Sequence, residues 1–509
     1  MQDVNKQYNE NKSWLILIAI GLGVFMAMLD VTIVNVALPT IQREFNMSYV
    51  STQWVVSAYT MTYSVSILAI SKLGDVYGKK LFFLLSMSVF TIGSLMCALA
   101  PNSLFLNISR GIEGIGGAGM LGLSMALIGD NYSGKQRTFI LGIWGSIVGF
   151  ATSIGPLVGG ILVQYFAWRS VFFVNVPVGI IAIFIGIRYI QEKHYIVDRH
   201  LDILGMILST TTLFCIIYGL VSKENNIQDS WFNIHIISWI IIGIILLITF
   251  IIWELHFPYP MMNLKLFKKN TFIGACLAAF TISMGLYAFF TYLTILMQDY
   301  MGYSPLEVGA QRLLLSIFSI ILGPLMGYVI GKVGDRIVIV LSSLTCAIGI
   351  IVMHYMLGFH LNWIYLIPSF IILGIGSACI NPAISNSALL GINPNNMGMA
   401  SGINNVCRQF GNCFGVVIIG LIMDHGYKKS LFNSLGYHSL AKNIINAGPF
   451  SGTIIAHKLK HIIPNIKTDI YHAYYIGFHN LLWLSFISFI ILAIVCWFLF
   501  KNEKIKIKK

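Results

Sequence analysis

Residues 141–160, LGIWGSIVGFATSIGPLVGG, form an uncharged apolar stretch that is long enough to cross a bilayer as a helix. The stretch contains glycine at six positions and one proline: Gly142, Gly145, Gly149, Gly155, Gly159, Gly160 and Pro156. In water such a helix would be unstable, since an interior Gly costs about 1 kcal/mol and an interior Pro about 3 kcal/mol. In lipid, small residues let helices approach closely. The stretch is therefore interpreted as either a tight, kinked helix contact or a sliding surface in a protein that changes shape.

The composition places the whole chain in a membrane. Of its 509 residues, 57% are hydrophobic and 10% are charged, whereas soluble domains carry about 25% charged residues. The first apolar run begins at Trp14 and is too long for a signal-peptide core, so it is predicted to be a retained helix. The 8 cysteines are scattered without metal-ligand spacing, and they are expected to pack as small apolar residues. We predict an all-α polytopic membrane protein with no metal and no cofactor.

Fourteen transmembrane helices are predicted, taking about 20 apolar residues for each span. Their approximate limits are 14–38, 51–71, 81–100, 104–129, 137–163, 167–190, 201–221, 233–255, 270–298, 306–331, 337–357, 361–389, 398–423 and 477–500. Lys and Arg are concentrated in the loops after even-numbered spans and in the C-terminal tail, which predicts that both termini are cytoplasmic. This bias accounts for the net charge of +13, so no nucleic-acid partner is expected.

Residues 424–476 are predicted to form a long loop on the outer face. The loop contains His457 and His461, which are four residues apart and could share one helix face as metal ligands. Because no acidic or Cys partner stands at ligand spacing, the preferred interpretation is a partly ordered external hairpin without metal.

Two short basic loops indicate an internal repeat. SKLGDVYGKK at 71–80 follows span two, and GKVGDR at 331–336 follows span ten. Two six-helix halves would place these loops in equivalent positions. The predicted domains are therefore an N-terminal bundle at 1–190, two inserted helices with linkers at 191–269, and a C-terminal bundle at 270–509 that includes the loop 424–476.

These loops and the Gly/Pro helix together resemble the major facilitator superfamily, in particular its fourteen-span drug/proton antiporter branch. Further motifs that carry the resemblance are LDVTIVNVALP at 29–39, RGIEG at 110–114, WRSVFFVNVPVG at 168–179 and RQFG at 408–411. The resemblance covers nearly the whole chain. The chain departs from the family pattern at Ser71 and Val76, where the family usually has Gly and Arg, and at Glu113, where it usually has Gln.

The resemblance implies a fold of two six-helix bundles with two inserted helices, and three groups of functional residues. The first group couples protons: Asp30, Glu113 and Arg110. The second is a conformational latch at the inner face: Asp75, Gly78, Lys79, Lys80, Asp335 and Arg336. The third is the antiporter helix: Gly145, Gly149, Gly155, Pro156, Gly159 and Gly160. A substrate cavity between the halves is expected to involve Asn35, Trp54, Tyr59, Tyr287, Phe290 and Arg408, with ordinary core or lipid-facing packing as the alternative for the aromatic residues.

Physical arguments support the coupling group independently. A charge in the middle of a spanning helix costs at least about 2.5–3.5 kcal/mol, so Asp30 should be neutral, face a hydrated cavity or bond a neighbouring helix. Arg110 and Glu113 are three residues apart on one helix face and can pair. The pair could be purely structural, or Arg110 could exchange partners as protons arrive.

The function expected from these features is secondary transport: a proton-coupled antiporter that exports small amphipathic compounds, cationic ones among them, across the plasma membrane. The partners would be the substrate, protons and the lipid bilayer, and the chain would act as a monomer. GIGGAG at 114–119 matches a dinucleotide-binding pattern but lies within a span, where it is interpreted as helix packing. Nucleotide binding and enzymatic activity are not expected. The alternatives are export of one narrow metabolite, lipid or peptide and, more weakly, a sensor that transports nothing.

Overall fold

The computed structural model of the protein describes residues 2–47, 49–192, 201–225, 233–358, 362–435 and 466–500. Within these ranges the regular structure is entirely helical, and 14 helices are long and apolar enough to cross a membrane. The predicted number of spans and the all-α fold class are therefore confirmed.

The fourteen helices are numbered here along the chain. They are α1 Gln2–Glu44, α2 Tyr49–Tyr77, α3 Lys79–Ala98, α4 Ser103–Asn131, α5 Gly134–Tyr165, α6 Ser170–Tyr189, α7 Ile203–Asn225, α8 Ile234–His256, α9 Asn270–Tyr300, α10 Pro305–Val333, α11 Asp335–Met356, α12 Ile367–Leu389, α13 Met397–Leu435 and α14 Ile466–Leu499. A π-helical turn, Ser283–Tyr287, interrupts α9, and a second, Leu296–Tyr300, ends it. We call the end of the bundle at which α1 begins the inner end, in keeping with the predicted orientation.

The helices pack as two six-helix halves, α1–α6 and α9–α14, with the α7–α8 hairpin between them in sequence. Helix α7 lies against α2 of the first half and α13 of the second half. The largest contact between the halves joins α5 to α10, and α13 packs against α2 and α4. The exact domain limits 1–190, 191–269 and 270–509 stay a prediction.

The predicted limits of two outer segments were wrong. Helix α1 continues through Pro39 to Glu44, where the Glu44 carboxylate pairs with Arg169 at 2.6 Å and accepts from the Trp168 indole at 2.6 Å. These two contacts tie the extended end of α1 to the start of α6. They explain why the helix continues beyond its apolar run.

The predicted outer loop 424–476 is helical at both of its ends, because α13 reaches Leu435 and α14 begins at Ile466. The extended end of α13 packs closely against α14: a side chain at Gly426 would meet the Gly477 backbone at 3.0 Å. His438, His457 and His461 lie outside the described residues, so the interpretation of the histidines stays a prediction.

Candidate functional site

Two acidic side chains and one arginine form a fully buried cluster between α1 and α4. Arg110 Nη1 donates to Asp30 Oδ2 at 2.6 Å and to Glu113 Oε2 at 2.7 Å. Arg110 Nε donates to the Val55 carbonyl at 3.0 Å, and its guanidinium lies 4.4 Å above the Tyr59 ring. Asp30 and Glu113 are 0% exposed and Arg110 is 1% exposed. The three predicted coupling residues are therefore brought together, across 80 residues of sequence.

Glycines of α4 allow this cluster to be so compact. A side chain at Gly117 would meet the Tyr59 hydroxyl at 2.6 Å, and one at Gly116 would meet the Phe90 backbone. On the opposing helix, a side chain at Gly93 would meet the Glu113 backbone at 2.8 Å. The GIGGAG motif thus lies within a buried helix and permits close helix packing, which agrees with the predicted packing role.

The charges within the cluster do not balance when both acids are ionised. Two carboxylates share one guanidinium, and a net buried charge is costly. Asp30 Oδ1 is buried without a hydrogen-bond partner among the described residues. One proton on either carboxyl group would leave a neutral set of three groups. The arrangement is therefore chemically suited to hold and release a proton.

The first basic loop joins the two halves at the inner end. Asp75 accepts hydrogen bonds from the backbone N–H groups of Gly398 and Met399, at 2.9 and 2.7 Å, where α13 begins. Lys79 lies 3.6 Å from Asp75, pairs with Asp130 at 2.9 Å and donates to the Pro394 carbonyl. The loop therefore holds the inner ends of α2, α4 and α13 together.

Gly78 and Lys80 stabilise the same loop from its other side. Gly78 has φ +128°, a conformation that favours glycine, and a side chain there would meet Glu192 at 2.8 Å. Glu192 accepts from the backbone N–H groups of Lys80 and Leu81, at 3.3 and 3.1 Å. Lys80 Nζ donates to the Ile187 carbonyl.

The second basic loop makes contacts mostly within the second half. Asp335 accepts two hydrogen bonds from the Asn386 amide of α12, at 3.0 and 3.1 Å. Thr138 of α5 donates to the Asn386 carbonyl oxygen at 3.4 Å, which adds one link to the first half. Arg336 lies 4.1 Å above the Trp497 ring of α14. The two loops thus occupy equivalent positions in the two halves. The first loop binds the other half, whereas the second binds mainly its own half.

The glycines of α5 lie on two faces with different neighbours. Gly145 and Gly149 face the second half, and Gly160 also does so. The nearest atoms to a side chain at these positions belong to Pro382 at 3.4 Å, Ser319 at 3.0 Å and Leu306 at 3.4 Å. Gly155 and Gly159 instead face α1, whose residues Thr32 and Ile33 lie against them. Pro156, between these glycines, is buried.

The predicted cavity residues are distributed over several environments. Asn35 is exposed near the outer end of α1, and Trp54 packs 6.2 Å from the Tyr218 ring of α7. Tyr59 is buried beneath Arg110 and donates to the Ala27 carbonyl. The substrate roles of these residues stay predictions.

The other three predicted cavity residues belong to the second half. Phe290 is half-buried beside Arg312, with the guanidinium 5.1 Å from its ring. Arg408 Nη1 donates to the Asn381 side-chain oxygen at 2.7 Å, and its Nε to Asn404 at 3.5 Å. Tyr287 lies in the first π-helical turn of α9, and its side chain is outside the described part of the structure.

The sequence interpretation missed three charged residues. Asp130 and Glu192 complete the inner loop contacts, and Arg312 is buried in α10. Arg312 could have been noticed, since it is an arginine within a predicted spanning segment, and such residues are commonly functional. Asp130 and Glu192 gave no such signal because acids near helix ends are ordinary.

Comparisons with known proteins agree with this architecture. The Major Facilitator Superfamily profile matches residues 20–416. The multidrug resistance protein Stp of Mycobacterium tuberculosis is 31% identical over 411 residues, which cover 80% of this chain and 75% of the relative. The multidrug export protein EmrB of Haemophilus influenzae is 26% identical over 496 residues, covering 95% of both chains.

Solved structures show the same fold at low sequence identity. The proton:xylose symporter XylE matches with a TM-score of 0.61 and 14% identity, over 96% of both chains. The human organic anion transporter MFSD10 matches with a TM-score of 0.58 and 13% identity, over 94% of this chain and 99% of that protein. The chain therefore belongs to the major facilitator superfamily, among relatives named as multidrug resistance and export proteins.

Proposed function

We propose that this multi-pass membrane protein is a proton-coupled antiporter that exports small amphipathic compounds across the plasma membrane by alternating access. The observation that carries the proposal is the Asp30–Arg110–Glu113 cluster. Two carboxyl groups and one guanidinium, buried in spanning helices, can change their net charge by one through a single proton. A change in buried charge alters the relative free energies of conformational states, and this would couple proton movement to alternating access.

The contacts at the inner end support a transport cycle. Asp75 and Lys79 bind α13, and Ser71 lies against Gly402 of the same helix. These polar contacts are local and reversible, so they could open without loss of the hydrophobic core of either half. We infer that the structure represents a state whose inner end is closed. In the proposed orientation the inner end faces the cytoplasm, and both termini lie there.

Relatives support the substrate class. Stp, the Bacillus subtilis multidrug transporter MdtP and the Streptomyces glaucescens tetracenomycin C resistance and export protein are 31%, 29% and 27% identical to this chain. The names of these relatives favour export of diverse compounds over a sensor that transports nothing. Export of one narrow metabolite, lipid or peptide is the alternative. The Clostridioides difficile riboflavin transporter RibZ, 26% identical, favours it. Neither proposal requires catalysis, nucleotide or a cofactor, and a monomer would contain the whole proposed site.

Everted membrane vesicles test the proposal, because their medium faces the inner end of the transporter. Rhodamine B, its methyl ester and ethidium would be added with and without an imposed pH gradient, acidic inside. We expect accumulation of at least one dye that depends on the gradient and disappears in the double variant Asp30→Asn/Glu113→Gln. Gradient-independent accumulation, or full activity of the double variant, would overturn the proposal. Accumulation of one dye only would favour the narrow alternative.

A further inference from the structure

Arg312 of α10 is a buried cation for which the described residues supply no carboxylate partner. Arg312 is 8% exposed. Its Nη1 donates to Thr294 Oγ1 of α9 at 2.8 Å, and its guanidinium lies 5.1 Å from the Phe290 ring. Arg312 Nε is buried and has no hydrogen-bond partner among the residues that the structure describes. The other two buried mid-helix arginines are better satisfied: Arg110 binds two carboxylates and Arg408 binds amide oxygens.

Arg312 lies on the side of α10 that faces the interface between the halves. The opposite side of α10 carries Ile317, Ile321 and Tyr328, which are 49%, 60% and 56% exposed, as expected for a lipid-facing surface. Arg312 is nine residues from Ile321, about 2.5 helical turns, and so lies about 180° around the helix. Ser319, two turns from Arg312, accepts a hydrogen bond from Ser146 of α5 through its carbonyl.

Contacts with α5 fix the depth of Arg312 in the bundle. A side chain at Gly309 of α10 would meet the Leu157 backbone. Ser319, further along α10, lies against Gly149 of α5. Because the two helices run in opposite directions, Arg312 lies at the level of about residue 154 of α5.

Asp30 lies at the same level on the other side of α5. A side chain at Gly155 would meet Thr32 of α1, and α1 runs in the same direction as α5, so Asp30 corresponds to about residue 153 of α5. The acidic cluster of the first half and the unpaired cation Arg312 of the second half are therefore within about one helical turn in depth.

A buried arginine without an anion is energetically costly, and the guanidinium fork matches a carboxylate in two parallel hydrogen bonds. The carboxylates at this depth, Asp30 and Glu113, are already bound to Arg110. We propose that Arg312 binds an acidic group of the exported substrate, so that compounds bearing a carboxylate or a similar anion are a substrate class of this transporter. This inference rests on the proposed transport function and adds to it the chemical class that is recognised.

Equilibrium binding to the purified full-length protein tests the role of Arg312. The probes are two matched pairs, rhodamine B and fluorescein with their methyl esters, followed by fluorescence polarisation. The variants are Arg312→Gln, Arg312→Lys, which keeps the charge, and Arg188→Gln, an exposed arginine of α6, as the control. Folding is checked by gel filtration and thermal unfolding.

We expect the wild type to bind at least one acid more tightly than its ester. Arg312→Gln should raise the Kd for that acid about tenfold or more, the loss expected for one charge-assisted hydrogen bond, and leave the Kd for the ester nearly unchanged. Arg312→Lys should recover part of the affinity, and Arg188→Gln should match the wild type. The proposal is overturned if no acid is preferred, if Arg312→Gln has no effect, or if it weakens acid and ester equally.

The vesicle assay separates this inference from the proposed function. If a pH gradient drives dye accumulation and Arg312→Gln affects acid and ester alike, the antiporter stands and the anion site falls. If no dye responds to the gradient while acid binding still requires Arg312, the anion site stands and proton-coupled antiport falls.

Discussion

The contact between Asp75 and the start of α13 predicts that Asp75→Asn opens the inner end of the protein. The Asp75 carboxylate, 9% exposed, accepts from two backbone N–H groups of the other half, Gly398 and Met399. Asparagine keeps only one of the two oxygens and has no charge. One N–H group would then face the amide NH₂ group, and the other hydrogen bond would become neutral.

The size of the effect follows from the two hydrogen bonds. A hydrogen bond to a charged group contributes about 1.5–3 kcal/mol, and a neutral one about 1 kcal/mol. Loss of one bond and weakening of the other would destabilise the closed inner end by about 2–5 kcal/mol. At 1.4 kcal/mol for each tenfold change, the ratio of open to closed populations rises by about 30-fold at the lower limit of this range, and more above it. Lys79 keeps its partner Asp130, so the loop should stay folded.

Cysteine accessibility measures this shift. Ser71 of α2 is 0% exposed and faces α13, where it lies against Gly402. Ser71→Cys should react slowly with a membrane-impermeant maleimide in everted vesicles. Adding Asp75→Asn should accelerate the reaction about 30-fold or more, in proportion to the open population. Protein that lacks Ser71→Cys corrects for the native cysteines.

A matched control variant is Asp424→Asn, which removes a carboxylate that pairs with Lys428 within α13 itself, at 2.6 Å. That variant should leave the labelling rate unchanged. We also expect Asp75→Asn to slow turnover while substrate affinity changes by only a few-fold. An unchanged labelling rate would refute the reasoning, and so would a loss of affinity with normal turnover.

Three further predictions concern proton coupling and the α5 interfaces. Asp30→Asn should fold, because its volume is nearly unchanged, but lose proton-driven export and the pH dependence of substrate binding; if both survive in vesicles, coupling must pass to Glu113. Gly159→Leu should give inserted but inactive protein, since even the first side-chain atom would meet an α1 carbonyl oxygen at 2.9 Å, and normal transport would contradict this. Gly309→Leu should likewise abolish transport, because the first side-chain atom at this position would lie 2.8 Å from a backbone carbon of α5. Vesicle uptake and membrane abundance, measured together, would check this prediction.

The number of spans and the inner loop at Asp75 could be predicted because their signals are local. Hydropathy marks each spanning helix within its own sequence, and a short basic loop can be recognised from a few residues. A close helix contact at the glycines of α5 could be predicted for the same reason. It could not be predicted that some of these glycines face α1 and others the second half. Sequence spacing shows which residues share a helix face, but it does not show which helix packs against that face.

The pairings of the buried charges required the three-dimensional structure. Arg110 and Glu113 are close in sequence, so their pairing could be expected, but the bond to Asp30 joins residues 80 positions apart. Arg312 lies near the outer end of a predicted span, where an arginine usually extends its charge to the membrane surface. Only the position of Thr294 and the exposed opposite face of α10 show that its side chain is buried inside the bundle.

The buried cluster around Arg110 and the inner loop at Asp75 both involve the same pair of helices, α2 and α4. Helix α2 carries Tyr59 beneath Arg110 and Asp75 at the inner end, and α4 carries Arg110 itself and Asp130, which binds the loop through Lys79.

Glycines of α4 hold the two helices in close contact between these sites. Gly114 and Gly117 lie against Tyr59 and Gly122 against Ser71, so α2 and α4 can move only slightly relative to each other without steric overlap. If protonation changes the contacts of Arg110 and α4 moves, α2 would move with it. This movement would change the hydrogen bonds between Asp75 of α2 and α13. In the proposed mechanism, coupling would depend on one rigid helix pair whose position both sites influence, as coupling between distant sites requires.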